Sequence, residues 1–401
     1  MSQPLSVSML VQGRFHAFDL SRALIEQGVP VRLYTNYPAF KAVQFGVPAA
    51  ALTCCPMLGL VHRYSYRFGL VDRCVGLERL LHEGFSRWAA RGLRRHETDI
   101  VHAFTGVALE SYRDLEARGR PVLRLLTRGS AHIRDQFKEL HQESRRAGTP
   151  IEMPSAWMMR RELQEYQVAH HIVTLSSYAR DSFIRRGYPA EKVLRLSLGS
   201  DFTRFRPARD VIERRLARIR SGSPLQVVYA GNISLQKGIR DMIQIAKELA
   251  GVVKFRLVGN ITPDAASFMA ASAGLFEHVE RVPEAELPRL YGEADIFVFP
   301  TLHDGFAAVL AQAKAACLPV ICSRHCAGPD LIEDNRTGWV LPARRPDQFA
   351  EKLRAYDLDR ASLAAHVENL WQIQERRDWS QVAEDFVQMA HRAHAAAVRM
   401  R

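Results

Sequence analysis

The chain has 401 residues, 47% apolar and 24% charged. That is enough for two domains with full cores, and the composition excludes extensive disorder. The net charge of +12 is uneven: residues 1–205 hold 29 Lys/Arg against 19 Asp/Glu, the remainder 26 against 24. The basic first half points to an anionic partner there, such as a membrane surface, a lipid phosphate or an acidic glycan. No recognition-helix, RNP-like or zinc-finger pattern is present, which argues against nucleic acid. No apolar run is long enough to span a bilayer, and the first residues lack a basic-then-apolar leader. A cytoplasmic protein is therefore expected, with peripheral attachment to the inner face of the membrane as a further expectation. The six cysteines show no paired CxxC spacing and read as reduced thiols.

Val7-Ser-Met-Leu-Val11 reads as a first buried strand, Gly13-Arg-Phe-His16 as the turn after it, and 19–27 as a helix ended by Gly28. Residues 29–34 form the next strand. This βαβ opening places its turn where open α/β sheets bind ligands. The turn lacks the full GxGxxG pattern, so no dinucleotide fingerprint is supported. Residues 60–95 hold eight Arg against Asp72, Glu78 and Glu83. Leu77, Leu81 and Trp88 share one helical face there, and Arg79, Arg87 and Arg94 the other. That pattern suits an ordinary helix packed on the sheet, the reading preferred on packing grounds, or an interfacial helix facing anionic lipid.

Residues 99–104 and 121–126 read as further strands. The second feeds Thr127-Arg128-Gly-Ser-Ala-His132 and a helix over 133–142, so His132 lies at a strand-to-helix turn on the ligand edge. A helix over 160–169 and a strand over 171–176 follow. Next come Ser177-Tyr-Ala-Arg180, Phe183, Gly187, Lys192, Gly199, Asp201, Phe205 and Pro207. Residues 208–224 are polar, Arg-rich and end in Ser221-Gly-Ser-Pro224; they read as an interdomain linker.

The second half repeats the rhythm. A strand over 225–230 leads into the loop Gly231-Asn-Ile-Ser-Leu-Gln-Lys-Gly238 and a helix over 239–249. Strands over 254–259 and 279–282 and a short helix over 286–292 come next. The apolar run 296–299 ends at Pro300, a turn carries Asp304 and Gly305, and a helix runs from near Phe306 to Cys317. A strand, a glycine turn and a helix N-terminus make an anion site, because free N–H groups and the helix dipole face one spot. Asp304 precedes that helix and Gln312 lies slightly more than two turns on, near one side of the same ligand. Residues 318–322 form a strand, and 347–401 are helical with Trp371, Trp379 and Phe386 as packing anchors. The DxD string Asp357-Leu-Asp359 falls in those helices and does not read as a metal site.

The segment from Asp304 to Gln312 resembles the signature of family 4 glycosyltransferases, retaining enzymes of the GT-B fold. There Glu-Gly-Phe-Gly is followed by a second Glu eight residues after the first. Asp304 and Gln312 stand at the two acidic positions. The run from Ser177 to Pro207 is similar to the family's stretch that closes its N-terminal domain. Gly13 and His16 match in part the family's turn beside the donor diphosphate, and Gly129-Ser-Ala-His132 its histidine turn near the donor sugar.

The resemblance implies an α/β GT-B protein: two Rossmann-like doubly wound domains facing a central cleft. Residues 1–207 would bind the acceptor, 208–224 would link, 225–378 would bind the nucleotide-sugar, and 379–401 would cross back onto the first domain. It implies a donor held by Gly13, Asn232, Lys237, Val282, Phe306, Ala307, Ala308, Val309 and Gln312. His132, Lys237 and Asp304 would serve catalysis, with His16 and Arg128 on the acceptor side. Asn232 stands where the family places an Arg, a third departure after Asp304 and Gln312. The implied reaction moves a sugar from a UDP- or GDP-type donor to a cell-envelope glycan or lipid-linked acceptor. Lys237 and helix-start amides would stabilise the leaving diphosphate, with no metal or cofactor expected. Two other readings stay open: a sugar-nucleotide epimerase of the same fold, and a sugar-nucleotide-binding protein that has lost catalysis.

Overall fold

The computed structural model describes residues 5–74, 76–200, 202–373 and 377–399; Asp201 lies outside them. Two parallel sheets organise the chain. The first contains β1 (Val7–Val11), β2 (Val31–Thr35), β3 (Leu52–Cys54), β4 (Ile100–Phe104), β5 (Leu123–Arg128), β6 (His171–Thr174) and β7 (Val193–Arg195), in the order β3-β2-β1-β4-β5-β6-β7. The second contains β8 (Leu225–Ala230), β9 (Val253–Val258), β10 (Glu277–Val279), β11 (Ile296–Phe299), β12 (Val320–Ser323) and β13 (Gly338–Leu341), in the order β10-β9-β8-β11-β12-β13. Both are open doubly wound sheets, as the two Rossmann-like domains require.

The central strands are largely apolar because helices cover both faces. Successive side chains point to opposite faces, so one strand feeds two cores. Val7, Met9 and Val11 enter a cluster with Phe18, Leu20 and Leu24 of the helix Ala17–Glu26, while Leu10 enters another with Phe85, Tyr112 and Tyr166. The first cluster is completed from far along the chain. Val382, Ala383, Phe386, Ala390 and Ala393 of the helix Trp379–Arg399 pack into it. The segment leading there is clamped where the chain first leaves the domain: Ser200 N–H donates to the Arg377 carbonyl at 3.1 Å, and Arg377 Nη2 to the Ser197 carbonyl at 2.8 Å.

Residues 208–224, expected to link the domains, are not loop throughout. Arg209–Arg220 is a helix, and Ile212, Arg215 and Ile219 on one side are buried against the second domain. The composition looked like a linker because the buried stripe contains an arginine. Arg215 is fully buried and donates to the carbonyls of Tyr291 (2.8 Å), Ala294 (2.9 Å), Ala316 (2.9 Å) and Cys317 (2.8 Å). These carbonyls lie at or just beyond the ends of the helices Leu287–Gly292 and Ala308–Ala315, where the regular helical bonds run out. Burial pushes the guanidinium down to about 10, so it stays charged at neutral pH.

The short strands β3, β7 and β13 went unread in the sequence; β3 and β7 are three-residue edge strands, and β13 opens on Gly338. The strand expected over 279–282 ends at Val279. In the basic segment, Leu81, Phe85, Ala89 and Leu93 of the helix Leu77–Leu93 are buried, which makes it the ordinary packed helix. Among the described residues no helix is long and apolar enough to cross a membrane. Replacing Arg215 with Met should strand the Ala316 and Cys317 carbonyls, since Tyr291 keeps the Ala294 amide and Ala294 keeps Arg218 Nη2, and lower stability by about 3 kcal/mol or more, measured by urea unfolding.

Candidate functional site

In the second sheet the strand order reverses between β8 and β11, so the crevice for ligands opens beyond their C-terminal ends. The two strands pair in parallel, Ile296 with Val227 and Phe297 with Val228. β8 therefore delivers the loop 231–238, and β11 the loop 300–307, to one place. Gly238 lets them close: a Cβ there would lie 2.1 Å from the Pro300 carbonyl oxygen, and its φ is +80°. Lys237 Nζ then reaches Asp304 Oδ2 at 2.5 Å.

Asp304 Oδ1 accepts the amides of Phe306 (3.1 Å) and Ala307 (2.8 Å). Burial alone would push this carboxyl up. The charge and hydrogen bond of Lys237, with the Phe306 amide, hold it below the usual carboxylate range. Ala307 sits at φ 64°, ψ 74°, the left-handed region that favours glycine. The family pattern carries glycine at this place, so Ala307 is a departure that only the backbone reveals. With the Ala307 amide given to Asp304, the anion site narrows to Ala308 and Val309, which open the helix Ala308–Ala315 and have no hydrogen-bond partner among the described residues.

The first domain presses on this loop. A Cβ on Gly305 would lie 2.0 Å from the Gly129 carbonyl oxygen, and Ser176 Oγ donates to the Gly305 carbonyl at 2.6 Å. His303, which sequence reasoning passed over, is the centre of that contact. Its Nε2 hydrogen-bonds Ser130 Oγ, its Nδ1 meets the Tyr178 hydroxyl at 3.0 Å, and its carbonyl accepts Gln236 Nε2 at 3.0 Å. Burial, then the charges of Arg128 and Lys237, push the imidazole down to about 3. It is neutral, with one ring nitrogen donating and the other accepting. Its only sequence signal is its place beside Asp304.

The remaining expected residues distribute as follows. Gln312 is half-buried and points its Nε2 at Glu284 Oε1 at 3.4 Å, while its own Oε1 is buried without a partner. Val282 packs half-buried against the second core, two residues before Glu284. Phe306 joins Leu175, Leu198 and Ala327 in a small apolar cluster between the domains. Asn232 is exposed, and its carbonyl accepts the Tyr229 hydroxyl at 2.7 Å. Arg128 is paired with Glu162 at 2.8 Å and donates to Gln136 Oε1 at 2.5 Å. The Gly13 amide donates to Asn36 Oδ1 at 2.9 Å, and the His16 ring lies 4.9 Å from that of Phe104.

His132 has a structural place of its own. Its Nδ1 accepts the Arg134 amide and caps the helix Ile133–Ala147, and its ring is enclosed by Tyr166, Phe183 and Tyr188. It is 1% exposed and anchors the 129–132 loop, whose Gly129 carbonyl meets Gly305. Asp357 pairs with Arg360, and Asp359 caps the helix Arg360–Gln372.

His303 gives a pH signature. Its folded pKa is lowered, so the unfolded chain binds the extra proton and stability falls as pH drops below about 6.5. His303→Asn should remove about 1.4 kcal/mol per pH unit from that fall between pH 6 and 4, read as the difference in urea-unfolding free energy between variant and parent.

Comparison with known proteins places the whole arrangement. The profile described as Glycosyltransferase Family 4 matches residues 14–204, and that described as Glycosyl transferases group 1 matches 224–356. A GDP-mannose-dependent alpha-mannosyltransferase of Mycobacterium tuberculosis is 28% identical over 318 residues, 78% of this chain and 76% of the relative. The amylovoran biosynthesis glycosyltransferase AmsK of Erwinia amylovora is 28% identical over 43% of each chain. Anabaena HepE, solved in complex with UDP, superposes with a TM-score of 0.70 at 13% identity, covering 97% of this chain and 100% of that one. Sucrose-phosphate synthase of Thermosynechococcus elongatus gives 0.63 at 15% identity, covering 98% and 100%. Matched in order along both halves, and sharing the fold of these structures throughout, the chain belongs to the group 1, family 4 glycosyltransferases and has the GT-B fold.

Proposed function

We propose that this protein transfers a sugar, with retention of configuration, from a UDP- or GDP-type nucleotide-sugar to a cell-envelope glycan or lipid-linked acceptor. The observation that carries the reading is the convergence of Lys237, Asp304 and the Ala308 and Val309 amides at the β8/β11 reversal. A departing nucleoside diphosphate gathers negative charge, and fixed positive groups there lower the barrier. An ammonium has three donors; Lys237 gives one to Asp304 and can give another to a phosphate oxygen. In this reading the charge is met by Lys237 and the two amides rather than by a metal ion.

Transfer would run from the front side. The acceptor hydroxyl forms the new bond to the anomeric carbon on the face from which the diphosphate leaves, and its proton passes to the departing phosphate oxygen. Asp304, held ionised, sets the height of Lys237 and faces the sugar. Gln312 and Glu284 flank the ribose side, four residues along the helix from Ala308. The relative named for GDP-mannose supports trying that donor first, and the UDP complex of HepE supports UDP-sugars next.

Lys237→Ala should remove a charge-assisted contact worth roughly 1.5–3 kcal/mol, a ten- to hundred-fold loss in kcat/KM. Normal turnover of that variant with every donor tried would overturn the phosphate assignment. A thermal-shift screen over UDP-, GDP-, ADP- and CMP-sugars should single out one nucleotide by raising the melting temperature. Product analysis without acceptor, showing an isomerised donor, would favour an epimerase instead.

A further inference from the structure

We propose that the helix Pro56–Arg67 and the turn after it dock this protein on an anionic lipid surface. A helix on a globular domain normally turns its apolar stripe inward. This one turns it outward. Of its residues only Ser65 is buried, whereas Met57 is 70% exposed, Tyr64 50% and, just beyond the end, Phe68 58%. Met57, Leu60, Val61, Tyr64 and Phe68 recur at three- and four-residue steps, so they form one continuous outward face. The Tyr64 and Phe68 rings stack at 6.0 Å, which extends that face past the helix terminus. Eleven of the fourteen exposed large apolar side chains among the described residues lie between Phe15 and Leu80, so exposed apolar surface is concentrated in this part of the first domain.

Charge decides between occupants. From residue 27 to residue 71 the chain contains no Asp or Glu at all, while it carries Arg32, Lys41, Arg63 and Arg67. Arg63 and Arg67 are exposed and have no carboxylate partner among the described residues. Apolar and aromatic side chains beside arginines, in a stretch of 45 residues without a carboxylate, match an anionic headgroup layer over acyl chains. A second copy of the same face would set these arginines against each other.

The position of the helix gives the docking a purpose. β1, β2 and β3 are parallel, so the helix leaves the sheet at the edge that carries the Gly13 turn. Gly59 packs so tightly on Asn36 that a Cβ would lie 2.0 Å from its carbonyl oxygen, and the Asn36 side chain holds the Gly13 amide. A membrane on this face would therefore lie beside the acceptor half of the cleft. This deepens the acceptor reading above, but docking is measured without turnover, so either can fail alone.

The test is co-sedimentation of the full chain with phosphatidylcholine vesicles with or without phosphatidylglycerol, at low and high salt. Binding is expected only with phosphatidylglycerol and should weaken with salt. The triple substitution Leu60→Gln, Tyr64→Gln, Phe68→Gln should weaken it roughly tenfold or more, as should Arg63→Gln with Arg67→Gln. Both variants alter exposed positions, so their melting temperatures and nucleotide-induced shifts should equal the parent's. A parent that stays in the supernatant with both vesicle types overturns the proposal, and so does a triple variant that pellets like the parent. A concentration-dependent dimer dissolved by the triple substitution would put a second copy on the helix and overturn it equally.

Discussion

Everything at the candidate site follows from one ion pair formed at a reversal of strand order. β8 and β11 lie side by side, so the loops that leave them meet without any long-range coincidence of side chains. Lys237 and Asp304 join those loops by charge, beside the Gln236 bond to the His303 carbonyl, and their contact is 2.5 Å long. The carboxylate uses its second oxygen to hold two amides, which orders the turn and leaves the next two amides facing outward. Charge, backbone direction and helix dipole then act at one point before any ligand arrives. Such preorganisation is what stabilises developing charge at little further reorganisation.

The second constraint lies between the domains. Helix Ile133–Ala147 of the first domain sends Arg146 to Asp241 at 2.6 Å, and Arg344 returns to Glu139 at 2.7 Å. Glu143, buried beside Arg146, Arg240 and Arg344, is pushed up by its burial. Charges buried together need one another, because separating them without water is far costlier than the pairing is favourable. The same seam holds Ser177 and Arg195 on Asp330, and Tyr178 stacked on His325. His303 belongs to both structures: its ring answers to the first domain and its carbonyl to the Lys237 loop. A shift of one domain is thus felt directly at the residue before Asp304.

Much of this was legible in the sequence, and the limits have physical causes. Long apolar runs such as 7–11, 225–230 and 296–299 announced the central strands, since buried parallel strands need no polar face. The Asp304 turn and the Lys237 loop were visible because turn chemistry and helix starts leave compact signatures. The helix Arg209–Arg220 was hidden because its buried face contains Arg215, whose partners are backbone carbonyls and leave no trace in composition. The helix-capping contact of His132 was hidden for a related reason: a histidine at a strand-to-helix turn caps a helix or touches a ligand with the same spelling. Glu284 and Tyr178 could not be placed, as only the folded chain brings them to Gln312 and His303. Ala307 was in plain view, but its left-handed backbone was not.

The helix Trp379–Arg399 fills the gap over Phe18, Leu20 and Leu24 near the start of the chain. A ribosome therefore releases the first domain with one flank bare, and that flank stays wet until residues 379–399 have been made. The second domain draws its core from 205–370 and has no such debt to later residues. The half translated last is accordingly the half that can finish first, and the half translated first must wait, open to chaperones, for its closing helix.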